Sequence, residues 1–160
     1  LQRKRGNGFN AHQKAHKMKH CFVDTNIILD LLLDRKPHSK SASLLFDLAV
    51  KGKVKLYMSV ITVHNLYYIL QKLKSHHEAM RILKKIQTFM TILDTSASDV
   101  HEALQSNPKD FEDALQMQTS QRYAKINAII TRNTKDFKGS PLPIWSADQA
   151  IKWIGGSVDQ

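Results

Sequence analysis

The chain has 160 residues, of which 42% are hydrophobic, and its formal net charge at pH 7 is +10. This length suits one domain rather than two, and the hydrophobic share excludes wholesale disorder because it is large enough to build a core. No apolar run approaches the ~20 residues that cross a bilayer, and no apolar segment with a cleavage site follows the basic start, so we expect neither a membrane span nor a signal peptide.

Half of the net charge lies at the beginning of the chain. Residues 1–17 contain five Lys or Arg side chains, no acidic side chain and no hydrophobic periodicity. We interpret this stretch as a basic disordered appendage or a non-native leader, and the alternative is a basic arm that touches nucleic acid. A single domain is predicted over residues 18–156, with 157–160 as a tail. The excess of basic side chains in this domain suits a polyanionic partner, although a solvated lysine-rich surface has the same composition.

The first half of the domain alternates short apolar runs with helical patterns. Residues 21–23 are apolar and end abruptly at Asp24, which is typical of a buried parallel strand. The predicted elements up to residue 93 are a strand at 21–23, helices at 25–33 and 39–50, a strand at 54–58, helices at 61–73 and 78–90, and a strand at 91–93.

The second half continues the alternation after a break at Asn107-Pro108. Ser96 and Ser146 are predicted helix caps, and Gly155 is a predicted stop. The remaining predicted elements are helices at 96–104 and 111–123, strands at 128–131 and 143–145, and a helix at 146–153. Strands that alternate with helices indicate a three-layer α/β domain, with a central parallel sheet flanked by helices.

Acidic residues follow two of these strands and open one helix. Asp24 and Asp136 come after strands, and Asp110 and Asp113 share one face of a helix start. Each alone is more often a cap or turn residue than a ligand. Because parallel strands place their carboxyl ends at one edge, we expect these acids to form one cluster suited to Mg²⁺ or Mn²⁺. Glu112 is expected to point elsewhere, as a solvated acid.

Four segments, in order, resemble those of the PIN domain family. They read VDTNIILD at 23–30, SVIT and LYYIL at 59–62 and 66–70, DFEDALQ at 110–116, and IITRNTKDF at 129–137. The resemblance covers residues 19–154. It implies a PIN-like fold and a nuclease that depends on Mg²⁺ or Mn²⁺, of which many are VapC-type toxins of bacterial toxin–antitoxin pairs.

The resemblance also implies roles for individual residues. The implied metal ligands and catalytic acids are Asp24, Asp113 and Asp136. The implied supporting residues are Thr25, Asn26 and Thr131, which orient ligands or waters, Asn133 as a polar neighbour, and Asp110 as an auxiliary carboxylate. Arg132 and Lys135 are expected to neutralise substrate phosphates.

One position departs from the family pattern. Many active members carry Glu where this chain has Asn65. Ligand charge is a main determinant of affinity for hard cations, so the departure favours weakened metal binding and impaired activity. The alternative is a catalytically weakened module that binds RNA or a protein. An aspartate-based phosphatase is disfavoured, because position 26 is Asn where a second Asp is required.

The predicted function is therefore a metal-dependent endoribonuclease that is the toxin of a toxin–antitoxin pair. Its implied partners are RNA, an antitoxin protein and a second copy in a homodimer. Cytoplasmic localisation is expected, since the single Cys21 excludes an internal disulfide and suits a reducing compartment. Asp30, in the first predicted helix, is expected to be a surface or cap residue.

Overall fold

A computed structural model describes residues 17–155. Most of the predicted basic appendage, residues 1–16, and the predicted tail lie outside these described residues. The predictions about both ends therefore remain predictions.

Five parallel strands form one sheet in the order β3-β2-β1-β4-β5. The strands are β1 (Lys19–Val23), β2 (Val54–Ser59), β3 (Met90–Leu93), β4 (Ala128–Ile130) and β5 (Ile144–Trp145). The chain runs outward from β1 to β3 and then returns to the other side of β1 with β4. The order of the strands therefore reverses between β1 and β4, and ligands of open parallel sheets bind in the crevice at such a point.

The described part of the chain has seven helices, of which six connect strands and the last follows β5. They are α1 (Thr25–Leu32), α2 (Ser39–Val50), α3 (Val60–Leu73), α4 (His76–Ile86), α5 (Ala97–Gln105), α6 (Phe111–Gln121) and α7 (Ala147–Ile154). None of the helices in residues 17–155 combines the length and the apolar character that crossing a bilayer needs.

The central strand faces a separate core on each side of the sheet. Cys21 and Val23 of β1 belong to the core shared with α1, α2 and α7, whereas Phe22 packs with Ile129 and Phe137 on the other face. This alternation is the period of two that a strand imposes on its side chains. Both faces are buried, which explains the continuous apolar run and confirms the three-layer architecture.

Polar caps end the helices where the sequence predicts them. Ser96 and Ser146 form capping boxes with Asp99 and Gln149, in which each serine hydroxyl accepts a backbone N–H and each partner side chain reaches back. Gly155 has φ +94, a left-handed conformation that ends α7 at little cost for glycine.

Two expectations about this part of the chain are wrong. The helix predicted over 78–90 begins at His76, since Ser75 accepts the Glu78 N–H, and it ends at Ile86. Asp30 is not at the surface, because its side chain is 0% exposed inside α1. The chain turns after Ile86 although the apolar spacing continues to Met90, and Asp30 pairs with Arg132 inside the protein.

Candidate active site

Asp24 follows β1 directly and is almost completely buried, with 1% of its surface exposed. It stands at the N-cap position of α1, yet its carboxylate makes no cap hydrogen bond. Instead, Oδ2 accepts a hydrogen bond from Thr131 Oγ1 at 2.8 Å, and Oδ1 accepts one from Gln116 Nε2 at 3.4 Å. Burial raises the pKa of Asp24, and the donors Thr131 and Gln116 oppose that rise. Asp24 is therefore a carboxylate held by the side chains of Thr131, which follows β4, and of Gln116 in α6.

The first turn of α6 carries three acids. Asp110 is the N-cap residue, and its Oδ1 accepts the backbone N–H of Asp113 at 3.1 Å. Asp113 is 6% exposed, and its pKa is raised to about 7, first by burial and then by the charges of Asp24, Asp110, Asp136 and Glu112. Neighbouring negative charges disfavour the ionisation of the Asp113 carboxyl when no cation is bound.

A cavity of about 350 Å³ opens at the carboxyl edge of the sheet, where these acids lie. Its polar lining consists of Asp24, Thr25, Asn26, Asn65, Tyr68, Asp110, Glu112, Asp113 and Asn133. Seven of the residues predicted from the sequence are thus brought together, and α1, α3, α6 and the loop after β4 all contribute to the walls.

Four predicted site residues do not line this cavity. Thr131 lies behind it, fully buried, where its hydroxyl bonds Asp24 and accepts the Asn133 N–H at 2.9 Å. Asp136 and Lys135 are exposed, and Asp136 reaches the cavity only through its charge, which helps to raise the pKa of Asp113.

Arg132, the fourth of these residues, faces α1. Its Nε lies 3.1 Å from Oδ2 of Asp30, an ion pair whose geometry falls outside that of a hydrogen bond. Burial raises the pKa of Asp30, and Arg132 opposes that rise. The cation of Arg132 is therefore already engaged within the protein.

The expectation that Glu112 is a solvated acid is wrong. Its Oε1 accepts hydrogen bonds from Gln116 Nε2 at 3.1 Å and from Thr25 Oγ1 at 3.4 Å. The Asn65 amide lies close enough to favour ionisation of Glu112, but Asn65 Nδ2 meets no hydrogen-bond geometry with a described residue. Burial raises the pKa of Glu112 more than this neighbour lowers it.

Gln116 is a site residue that sequence reasoning missed. It is 0% exposed, and its Nε2 donates to both Asp24 and Glu112. Thr62 Oγ1 donates to Gln116 Oε1 at 3.5 Å, which turns the amide nitrogen towards the acids. The spacing could have indicated this role, because position 116 follows Glu112 by one helical turn and shares its face of α6.

The carboxylate and amide oxygens around the cavity suit a hard divalent cation. Carboxylate and amide oxygens are the ligands that Mg²⁺ and Mn²⁺ prefer, and a cation would relieve the repulsion that raises the pKa of Asp113. No three His, Cys, Asp or Glu side chains within residues 17–155 already form an ion-holding group. Asp24 and Asp113 are the residues that could hold a Mg²⁺-like ion, which would keep several waters.

Comparison with known proteins identifies the family. The family model of the PIN domain matches residues 20–135. A curated relative, ribonuclease VapC1 of Aquifex aeolicus (strain VF5), is 23% identical over 133 residues, which are 80% of this chain and 90% of the relative.

Two solved structures have the same fold. VapBC-1 from nontypeable Haemophilus influenzae matches with a TM-score of 0.62 and 17% identity, over 81% of this chain and 98% of the other. Mycobacterium tuberculosis VapC20, a toxin that cleaves the sarcin–ricin loop, matches with a TM-score of 0.55 and 15% identity, over 68% and 86%. With the family model matching most of its length, this chain belongs to the PIN domain family.

Proposed function

We propose that this protein is a metal-dependent endoribonuclease and the toxin of a toxin–antitoxin pair. The observation that carries the proposal is the position of Asp113, whose carboxyl lies in one cavity with Asp24 and has a pKa of about 7 through burial and the neighbouring acids. The relative that is a ribonuclease and the related VapBC complexes support the choice of RNA and of an antitoxin partner.

Asp24 and Asp113 would hold the cation. A bound divalent ion supplies a nucleophilic water near neutral pH and offsets charge on the phosphoryl oxygens. Thr131 and Gln116 fix the Asp24 carboxylate by hydrogen bonds, so its oxygens keep one orientation. The reaction adds water to phosphorus and breaks the P–O bond to one ribose oxygen, which leaves as a hydroxyl. Lys135, exposed beside the cavity loop, would neutralise substrate phosphate.

The direct test is cleavage of a mixed RNA pool in Mg²⁺ or Mn²⁺. We expect the wild type to cut RNA with either ion and to stop when EDTA is added. Asp24→Asn and Asp113→Asn should reduce the rate at least about a hundredfold, because each removes a charged ligand of the ion. Asp47→Asn is the matched control, since it makes the same change on the exposed surface of α2. Intact RNA with the wild type in both ions would refute the proposal.

A weakened module that binds RNA without cleaving it is the second candidate, and Asn65 in the cavity wall favours it. The same RNA assay separates the two functions, since binding without cleavage in Mn²⁺ supports the second. The presence of Glu112 in the same cavity argues for the nuclease, because the site keeps a carboxylate beside position 65.

The toxin role has its own test. Induced expression in a bacterial host should arrest growth with the wild type and not with Asp24→Asn. A protein partner that relieves this arrest would be the antitoxin, and normal growth with the wild type argues against the toxin role. Action in the cytoplasm and a homodimer remain proposals from the family resemblance, and sedimentation equilibrium tests the dimer.

A further inference from the structure

We propose that Glu112 is a further metal-binding carboxylate of this site, and that Asn65 is the neutral neighbour that leaves room for its charge. The inference rests on the proposed metal-dependent function and identifies which side chains set its affinity. The two residues stand on different helices, Asn65 on α3 and Glu112 on α6, and both line the cavity that holds Asp24 and Asp113.

The environment of Glu112 differs from that of a surface acid. Its side chain is half-buried, and its Oε1 shares one donor, Gln116 Nε2, with Asp24 Oδ1. The amide nitrogen of Gln116 lies 3.4 Å from Asp24 Oδ1 and 3.1 Å from Glu112 Oε1, so the two carboxylates lie near each other. Two negative groups that share a donor in a semi-enclosed cavity repel each other, and a cation between them offsets that repulsion.

The side chain of Asn65, on α3, supplies a second observation. Its amide nitrogen is buried and has no hydrogen-bond partner among the described residues. Buried amides are seldom left without a partner, so one is to be expected in the cavity that Asn65 lines. A water or phosphate oxygen carried by a bound ion would provide the acceptor, because Mg²⁺ and Mn²⁺ keep such ligands in protein sites.

A carboxylate at position 65 would face Glu112 directly, and the two charges would compete for the same space. A neutral amide there keeps an oxygen in the cavity wall without placing a second negative charge beside Glu112. The negative charge therefore stands on α6, and the amide stands on α3. If the site needs one charged and one neutral side chain at these two positions, exchanging them should preserve it.

The structural alternative is that Glu112 only accepts the hydrogen bonds of Gln116 and Thr25. Glu112→Gln separates the two roles, because glutamine keeps an acceptor oxygen and the shape of the side chain but removes the charge. Mn²⁺ affinity, measured by titration calorimetry on metal-free protein without RNA, depends on the charge of residue 112 and not on the hydrogen bonds that it accepts.

The experiment compares four proteins. Glu112→Gln should weaken Mn²⁺ binding about tenfold or more, as loss of a charged oxygen ligand predicts. The exchange Asn65→Glu with Glu112→Gln should recover affinity to within about threefold of the wild type, because the number of charges is restored. Glu102→Gln, an equal change on the exposed surface of α5, should leave affinity unchanged.

The outcomes distinguish this inference from the proposed function. Unchanged Mn²⁺ affinity in Glu112→Gln overturns the inference alone, and so does an exchange variant that folds but binds no better than Glu112→Gln. Mn²⁺ binding that depends on Glu112, with no cleavage of any RNA, overturns the ribonuclease proposal and leaves the inference standing. A wild type that binds no Mn²⁺ overturns both.

Discussion

The hydroxyl of Thr131 donates a hydrogen bond of 2.8 Å to Oδ2 of Asp24, and this bond joins the carboxyl ends of β4 and β1. Both residues are buried, with exposures of 0% and 1%. The same hydroxyl accepts the N–H of Asn133, so one side chain fixes both the acid and the loop that closes the cavity. The site is therefore tied to the strands at the point where their order reverses.

Removing this hydroxyl should destabilise the protein. Thr131→Val keeps the shape of the side chain but leaves Asp24 with one donor fewer and the Asn133 N–H without its acceptor. We expect the free energy of unfolding to fall by about 1–3 kcal/mol, the cost of an unpaired buried polar group. Urea denaturation measures this change. Thr91→Val, at an exposed position of β3, is the control, and equal losses in both variants contradict the role of the hydroxyl.

The raised pKa of Asp113 gives the stability of the metal-free protein a pH dependence. The folded state favours the protonated carboxyl, so this contribution is present below pH 3.8 and is lost as the pH rises through about 7. Asp113→Asn removes the titration. Its melting temperature should exceed that of the wild type at pH 8, and the difference should shrink towards pH 5.

The wild type must be compared with the variant because His20 changes the stability with pH in the opposite direction to Asp113. Burial lowers the pKa of His20, so its contribution is lost as the pH falls, and it is the same in both proteins. A difference in melting temperature between wild type and Asp113→Asn that does not change from pH 5 to pH 8 contradicts the assignment.

Arg132 and Lys135 should behave differently although both were predicted to bind substrate. Arg132→Gln removes the cation paired with the fully buried Asp30, and we expect a loss of about 1–3 kcal/mol of stability. Lys135→Gln changes an exposed side chain, so it should weaken RNA binding and leave stability unchanged. Thermal unfolding and RNA binding, measured on both variants, test this division. Wild-type stability of Arg132→Gln would show that the ion pair with Asp30 contributes little.

Asp110 has two possible contributions, one as the cap of α6 and one as an auxiliary carboxylate. Asp110→Asn keeps a capping oxygen and removes the charge, whereas Asp110→Ala removes both. We expect the alanine variant to lose about 1 kcal/mol of stability and the asparagine variant to lose only a few tenths. Weaker Mn²⁺ binding in both variants supports the auxiliary role. Unchanged Mn²⁺ binding in Asp110→Asn would reduce Asp110 to a helix cap.

The fold was largely predictable, because its signals are local. The apolar run before Asp24, the serine caps and Gly155 each specify a strand, a helix start or a helix end within a few residues of sequence. The end of α4 was not predictable from periodicity, since Phe89 and Met90 continue the apolar spacing beyond the last helical turn.

The site was only partly predictable, because side-chain direction depends on contacts between distant segments. Asp24, Asp110 and Asp113 could be placed at one edge because the first follows a predicted strand and the others open a predicted helix, and the structure does bring them into one cavity. The position of Glu112 depends on Gln116 and Thr25, and that of Arg132 depends on Asp30. No spacing rule reports these contacts, since each of them except the one with Gln116 joins separate elements.

The most direct test of the central claim is to locate Mn²⁺ by anomalous diffraction from crystals grown with the ion. The account predicts a peak in the cavity, with oxygens of Asp24 and Asp113 as ligands and waters completing the coordination. A protein that cleaves RNA in Mn²⁺ while its crystals show no peak in this cavity, or a peak only elsewhere, would contradict it.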